Sequence, residues 1–388
     1  MIGLFSFMFF LSSVYPDQFV IPSHFQEGQL IEQLVVISDV DGVVRDSIDA
    51  IADPRVIDAV YELLSAEEVH LAFLSGTPVE NDQSIEPWRR GNVPLNHVFK
   101  DAFVDELLEN RVAIYGVLGG QRMKANGHLE VIDEYPAETV WELGKLLLKA
   151  FLQEVLATGS LLQKEVAGGL QEQLDALLPT KELSSHVTSE EFGDIIRPIR
   201  QHLDPHFRLI CSGVLIETHS SSPLWGVKIA YDWMKNELDR KEIKAHFATG
   251  FAKKGEEGFN FLSICKTNKG KLAQWHIEEK LKQFPNALVV TIGDTQVDFP
   301  MHEKAHLAFH VGKEKVWLDN SLSHCVMIRD VNGVDQQHVE GTLKVLSLLK
   351  EAIGKSFYEF KHIPKKMASG QWEYYSIREL QEAGPQID

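Results

Sequence analysis

Cysteine is scarce. The 388-residue chain has three, Cys211, Cys265 and Cys325, far apart and never in CxxC spacing. That excludes a disulfide framework and a cysteine-rich zinc site and fits a reducing compartment, with one buried pair left open. Basic residues are also short: 38 Lys and Arg stand against 56 Asp and Glu, a net charge of −18. Most of such a surface repels a phosphate backbone, so nucleic acid is not an expected partner, and an anionic substrate needs a local metal or basic pocket. The 16 histidines include no HxH or HxxxH pair on a predicted helix, which argues against zinc. His302 and His306, four apart, read as surface residues. There is no internal repeat and no low-complexity tract. The apolar run "IGLFSFMFFLSSVY", residues 2–15, could form a signal-peptide core, but no Lys or Arg precedes it and it is short for a membrane span. Residues 1–30 therefore read as a leader and linker of a cytoplasmic protein, with export the alternative and membrane association not expected.

What is present is a regular α/β grammar. "LVVIS", residues 34–38, is the continuous apolar run of a parallel strand covered on both faces. From Asp53, "DPRVIDAVYELLSAEE" puts Val56, Ile57, Val60, Leu63 and Leu64 on one helical stripe, with Asp53 as cap and Pro54 in the first turn. "VHLAFLSG", 69–76, is the next strand. This βαβ unit predicts a doubly wound parallel sheet. The pattern returns in a helix from Asn268, strands at 287–294, 306–312 and 325–330, and a helix through "VEGTLKVLSLLKEAI". Between the halves lie long amphipathic helices and strand candidates at "FRLICSGVLIETH" and "EGFNFLSIC". The expected organisation is a Rossmann-like core over 31–130 and 262–354, an inserted α+β cap over 131–261, and a tail over 355–388 that packs back or binds a partner.

Polar residues recur at the carboxyl ends of the predicted core strands: Asp39 with Asp41, Ser75, Lys269, and Asp294 with Asp298. Ligands of open α/β sheets bind in the crevice beyond those ends. Clustered carboxylates repel unless a cation sits among them, and hard oxygen ligands in that number suit Mg2+. With a metal present, the set has the parts for phosphoryl transfer. One carboxylate attacks phosphorus, another serves as acid and base, and lysine and hydroxyl neutralise the non-bridging oxygens.

At these points the chain resembles the haloacid-dehalogenase (HAD) superfamily, with "DVDGVV", "LAFLSGTP", "TNKGKLAQW" and "TIGDTQVDFPM" similar to its four motifs in order. The resemblance implies Asp39 as nucleophile, Asp41 as acid/base, Ser75 as phosphate ligand with Gly76 beside it, and Lys269 as the third-motif lysine. It implies a metal held by Asp39, the Asp41 carbonyl and Asp294, with Asp298 in support. The long interval between the second and third motifs resembles the large (C2) caps of sugar-phosphate and other phosphomonoester hydrolases, which close over the core and exclude water. Within the superfamily, "YGVLGGQRMKANGHLEVI" and "GVLIETHSSSPLWGVK" resemble segments of trehalose-6-phosphate phosphatases and imply substrate contacts at Arg122, Glu217, His219 and Lys228. Gln121, His219 and Lys228 depart from that subfamily's expected Glu, Lys and Arg. The implied partner is a small phosphorylated sugar, trehalose 6-phosphate being favoured. A broader sugar-phosphate or nucleotide phosphatase and a non-catalytic phosphosugar-binding protein stay open.

Overall fold

The computed structural model describes residues 27–48, 50–79, 93–116, 120–133, 135–176, 206–210, 213–219, 235–254, 257–320, 322–329, 338–367 and 369–383. In chain order, the first part holds β1 (Leu34–Asp39), α1 (Pro54–Leu64), β2 (Val69–Leu74), short helices α2 (Leu95–Val98) and α3 (Val104–Leu108), β3 (Val112–Gly116), β4 (Gln121–Met123) and β5 (Leu129–Val131). Next come α4 (Ala137–Thr158), α5 (Leu161–Ala176), β6 (His206–Ile210), β7 (Gly213–His219), β8 (His246–Lys254) and β9 (Glu257–Cys265). Then follow α6 (Lys269–Leu281), β10 (Leu288–Gly293), a 3-10 turn (Gln296–Asp298), α7 (Phe299–His302), β11 (Leu307–His310), α8 (Glu314–Asn320), β12 (Cys325–Met327) and α9 (His338–Ala352). The last elements are β13 (Ile363–Lys366), β14 (Trp372–Tyr375) and α10 (Ile377–Ala383).

The main sheet runs β12-β11-β10-β1-β2-β3-β4-β5. Its first six strands are parallel, and the β4–β5 hairpin adds antiparallel to β3. This is the doubly wound sheet that the apolar runs predict. All positions of β1, β2 and β10 are buried, which is why these strands lack polar alternation. Alternate residues serve opposite layers. Leu34, Val36, Leu71, Phe73, Val290 and Ile292 pack on one side, with Val56 and Val60 of α1 and Val345 and Leu349 of α9. Val35, Ile37, Ala72, Leu74 and Val289 pack on the other, against Leu272, Ala273 and Ile277 of α6. Asp53 starts α1 by accepting from the Arg55 amide at 2.8 Å, and Pro54 occupies the first turn.

The chain leaves β1 toward β2 on one side and returns through β10 on the other, so the winding reverses between β1 and β10. A crevice opens there at the carboxyl ends. Inserted between β5 and α6 are α4, α5 and an antiparallel sheet of order β6-β7-β9-β8. Strand β8 approaches the Gln296–Asp298 turn, and Asn268 meets His246 of β8 at 3.1 Å, so this layer reaches the mouth of the crevice.

The tail packs on the core. Phe357 and Phe360 are buried in the same cluster as β1 and α9, joined by Ile363 and Ile377. The Arg329 guanidinium stacks 4.8 Å from the Trp372 ring centre, and the Tyr374 hydroxyl donates to the Arg329 carbonyl and accepts from its amide, both at 2.9 Å. Cys265 and Cys325 are both buried; Cys211 and the leader through residue 26 lie outside the described residues. No helix among the described residues is long and apolar enough to cross a membrane. Phe360→Ala should cost about 3–5 kcal/mol, read as a lower denaturant midpoint at constant slope; an unchanged midpoint would show that the tail is not part of the cooperative unit.

Candidate active site

The site is built at the winding reversal. Asp39 is the last residue of β1, and Asp294 follows the last residue of the adjacent β10. The Val40 amide donates to Asp39 Oδ1 at 2.6 Å. The chain then turns back: the amides of Val43, Val44 and Arg45 donate to the Val40 carbonyl. Gly42 makes this turn with φ +82°, and a Cβ there would lie 2.1 Å from Asp294 Oδ2. Only glycine lets the loop pass so close to that carboxylate.

Lys269, 4% exposed, opens α6, whose N-terminus is capped by Asn268 accepting from the Lys271 amide at 2.8 Å. Its Nζ donates to Asp39 Oδ2 at 2.7 Å and to Asp298 Oδ1 at 2.6 Å. The other Asp298 oxygen accepts from the amides of Asp294 (3.0 Å) and Thr295 (2.9 Å) and from the Thr295 hydroxyl (3.0 Å). Asp298 is therefore saturated: it orients the lysine and the Asp294 backbone. Burial works to raise the Asp298 carboxyl, but the Lys269 charge, His302 and the hydrogen bonds from Lys269 and the Thr295 amide together hold the group at about 2. Burial disfavours the lysine charge, yet Asp298 and Asp39 hold it protonated. Asp39 is pushed well above the usual carboxylate range by burial and by the negative charge of Asp298, against the pull of Lys269.

Asp41 has different company. Its Oδ1 accepts from Arg45 Nε at 2.7 Å, and its Oδ2 from Ser75 Oγ at 2.6 Å and Thr77 Oγ1 at 3.2 Å. Arg45 is buried and also donates to the carbonyls of Ala50 (2.9 Å) and Val93 (3.0 Å) and to the Thr77 hydroxyl (3.1 Å). Burial raises the Asp41 carboxyl, but Arg45 and the Ser75 hydroxyl bring it below its ordinary value.

One oxygen each of Asp39, Asp294 and Asp298 lie within 4.8 Å of one another, all on buried residues. Asp294 Oδ1 is buried with no hydrogen-bond partner among the described residues, and burial pushes this carboxyl up to about 6. An orphaned anionic oxygen among hard donors fits Mg2+. The Asp41 side chain, turned to Arg45 and Ser75, is not in this cluster.

The other expected residues are placed as follows. Gly76 is exposed directly after buried Ser75. Arg122, on β4, donates to Asn110 Oδ1 at 3.0 Å and lies 6.0 Å from the Tyr115 ring centre, so its guanidinium does not join the aspartates. Gln121 Oε1 accepts from the Val79 amide at 2.9 Å, tying β4 to the loop after Ser75. Glu217 and His219 lie on β7; Lys228 lies outside the described residues. The expectation for His302 is overturned: it is fully buried beside the site, with Nδ1 2.8 Å from Thr291 Oγ1, and burial pushes it down to about 3. Sequence reading missed Arg45, Thr77 and His338. The i, i+4 spacing of Asp41 and Arg45 was a usable signal; His338 had none.

Between pH 3.8 and about 6 the native state keeps a proton on Asp294 that the unfolded chain has lost, so without metal this group costs stability as pH rises through that window. In EDTA, Asp294→Asn should therefore stabilise the protein at pH 7 by on the order of 3 kcal/mol at most, read as a higher thermal midpoint, with the gain fading by about pH 4. Equal midpoints for the two proteins at pH 7 would refute it.

No protein-family model matches the chain, and no curated protein matches it. Among solved structures it is similar to an N-terminally truncated Plasmodium falciparum IMP-nucleotidase (14% identity, TM-score 0.41, over 74% of this chain and 69% of that one). It is also similar to Thermoplasma acidophilum 0175 (11% identity, TM-score 0.41, over 83% of this chain and 100% of that one). A third is a haloacid dehalogenase-like hydrolase from B. subtilis (13% identity, TM-score 0.39, over 81% of this chain and 98% of that one).

Proposed function

We propose that the chain is a Mg2+-dependent phosphohydrolase that cleaves small phosphomonoesters through a phosphoryl group carried on Asp39. The observation that carries this reading is the Lys269 ammonium shared between Asp39 and Asp298 next to the orphaned Asp294 oxygen. Mg2+ held by Asp39, Asp294 and the Asp41 carbonyl would neutralise the carboxylates and the incoming phosphate. Asp39 attacks phosphorus as the ester P–O bond breaks, and Asp41, protonated once it has left Arg45 and Ser75, gives that proton to the leaving oxygen. Asp41, now ionised, takes a proton from the water that attacks the phosphoryl group, and inorganic phosphate leaves with Asp39 restored. For this work Asp41 turns from Ser75 toward the leaving group, which frees the Ser75 hydroxyl to donate to a non-bridging oxygen. Lys269 neutralises another.

The favoured substrate is a phosphorylated sugar, trehalose 6-phosphate first, with Glu217, His219 and Lys228 as the expected sugar contacts; broader sugar-phosphate or nucleotide specificity is the alternative. Arg122 joins them only by leaving Asn110.

Asp39→Asn should lower turnover of p-nitrophenyl phosphate by more than about 1,000-fold, and Asp41→Asn by about 100- to 10,000-fold, with both proteins folded by circular dichroism. Full activity of Asp39→Asn would sink the mechanism. EDTA should abolish release and Mg2+ restore it. In a panel of phosphate esters, equal rates on unrelated compounds would reject trehalose specialisation. Binding without any release would favour a phosphosugar-binding protein.

A further inference from the structure

His338 opens α9 at the edge of the crevice with φ +59°, the left-handed region that residues with a Cβ enter at a cost. Its amide donates to the Val311 carbonyl at 2.8 Å. Its Nδ1 lies 3.1 Å from the Gly42 carbonyl oxygen and 3.6 Å from Asp294 Oδ2. A carbonyl oxygen only accepts, so Nδ1 carries the hydrogen and donates it to Gly42, with Asp294 Oδ2 next to it at ion-pair distance. Asp294 Oδ2 thus faces His338 and Gly42, while Oδ1 is the oxygen left unpartnered. The helix start is held in an unfavourable backbone state where that state brings an imidazole donor to the site.

We propose that His338 is a positioning residue for the metal site, holding the Gly42 carbonyl and Asp294 Oδ2 so that Asp294 Oδ1 is kept for the cation. The inference rests on the phosphohydrolase reading only in taking that cation to be Mg2+. The same contact holds the turn that directly follows Asp39 and Asp41, so the clamp couples motif one to motif four.

The test is calorimetric titration of Mg2+ into the full chain, the parent beside His338→Gly and His338→Asn, with thermal unfolding to show that each is folded. Glycine relieves the backbone and removes the donor; asparagine tolerates the left-handed region and offers an amide N–H near the place of Nδ1. His338→Gly should lose about 10- to 100-fold in Mg2+ affinity, and His338→Asn should recover most of it. Unchanged affinity in His338→Gly, a loss that His338→Asn does not recover, or a parent that binds no Mg2+ would each overturn the inference. Binding is read without turnover, so a parent that binds Mg2+ but releases no phosphate would sink the phosphohydrolase reading and leave the clamp standing.

Discussion

The site depends on one buried ammonium. Lys269 is the cation that lets Asp39 and Asp298 lie together in a place nearly closed to water. Breaking a buried pair of this kind leaves uncompensated charge and typically costs about 3–5 kcal/mol. Its position follows from α6: Asn268 caps the helix, and the first helical residue then points at the strand ends. Close backbone approaches do the rest. At Gly312 a Cβ would lie 1.8 Å from the Asp294 carbonyl oxygen, so a side chain there would push Asp294 out of line.

Lys269 does not neutralise everything. Asp294 stays as a buried carboxyl with an orphaned oxygen, and His338 sits in a disfavoured backbone state beside it. Arg45 is likewise a buried cation serving a single carboxylate. Such local departures from what stabilises a fold are expected where function is assembled. These three meet beyond the ends of β1 and β10.

Much of this was legible in the sequence. The strands are continuous apolar runs because both faces are covered, and that pattern survives without any structure. The polar residues at their ends stood out because nothing in a buried strand otherwise calls for them. Less local matters were not legible. The Asp41 carboxylate turns to Arg45 and Ser75 only because the loop folds back on the Val40 carbonyl. His302 read as surface because it follows a loop motif, but Thr291 of β10 and the short helix α7 enclose it. His338 meets Gly42 across 296 residues, and no pattern in one sequence reports such a pairing. The aromatic and basic tail could have bound a partner; Phe357 and Phe360 fill the core instead.

The pairing of β1 with β10 carries a consequence for biosynthesis. Leu34 pairs with Leu288, so the central strand, entirely apolar from Leu34 to Ile37, gets its second neighbour only after the stretch from α4 to β9 has been made. At roughly 5–20 residues per second on the ribosome, one edge of that strand stays open for some tens of seconds. An unpaired apolar edge is a template for wrong pairing. Such a non-local central pairing favours slow folding, with the strand's open edge exposed to wrong partners in the meantime.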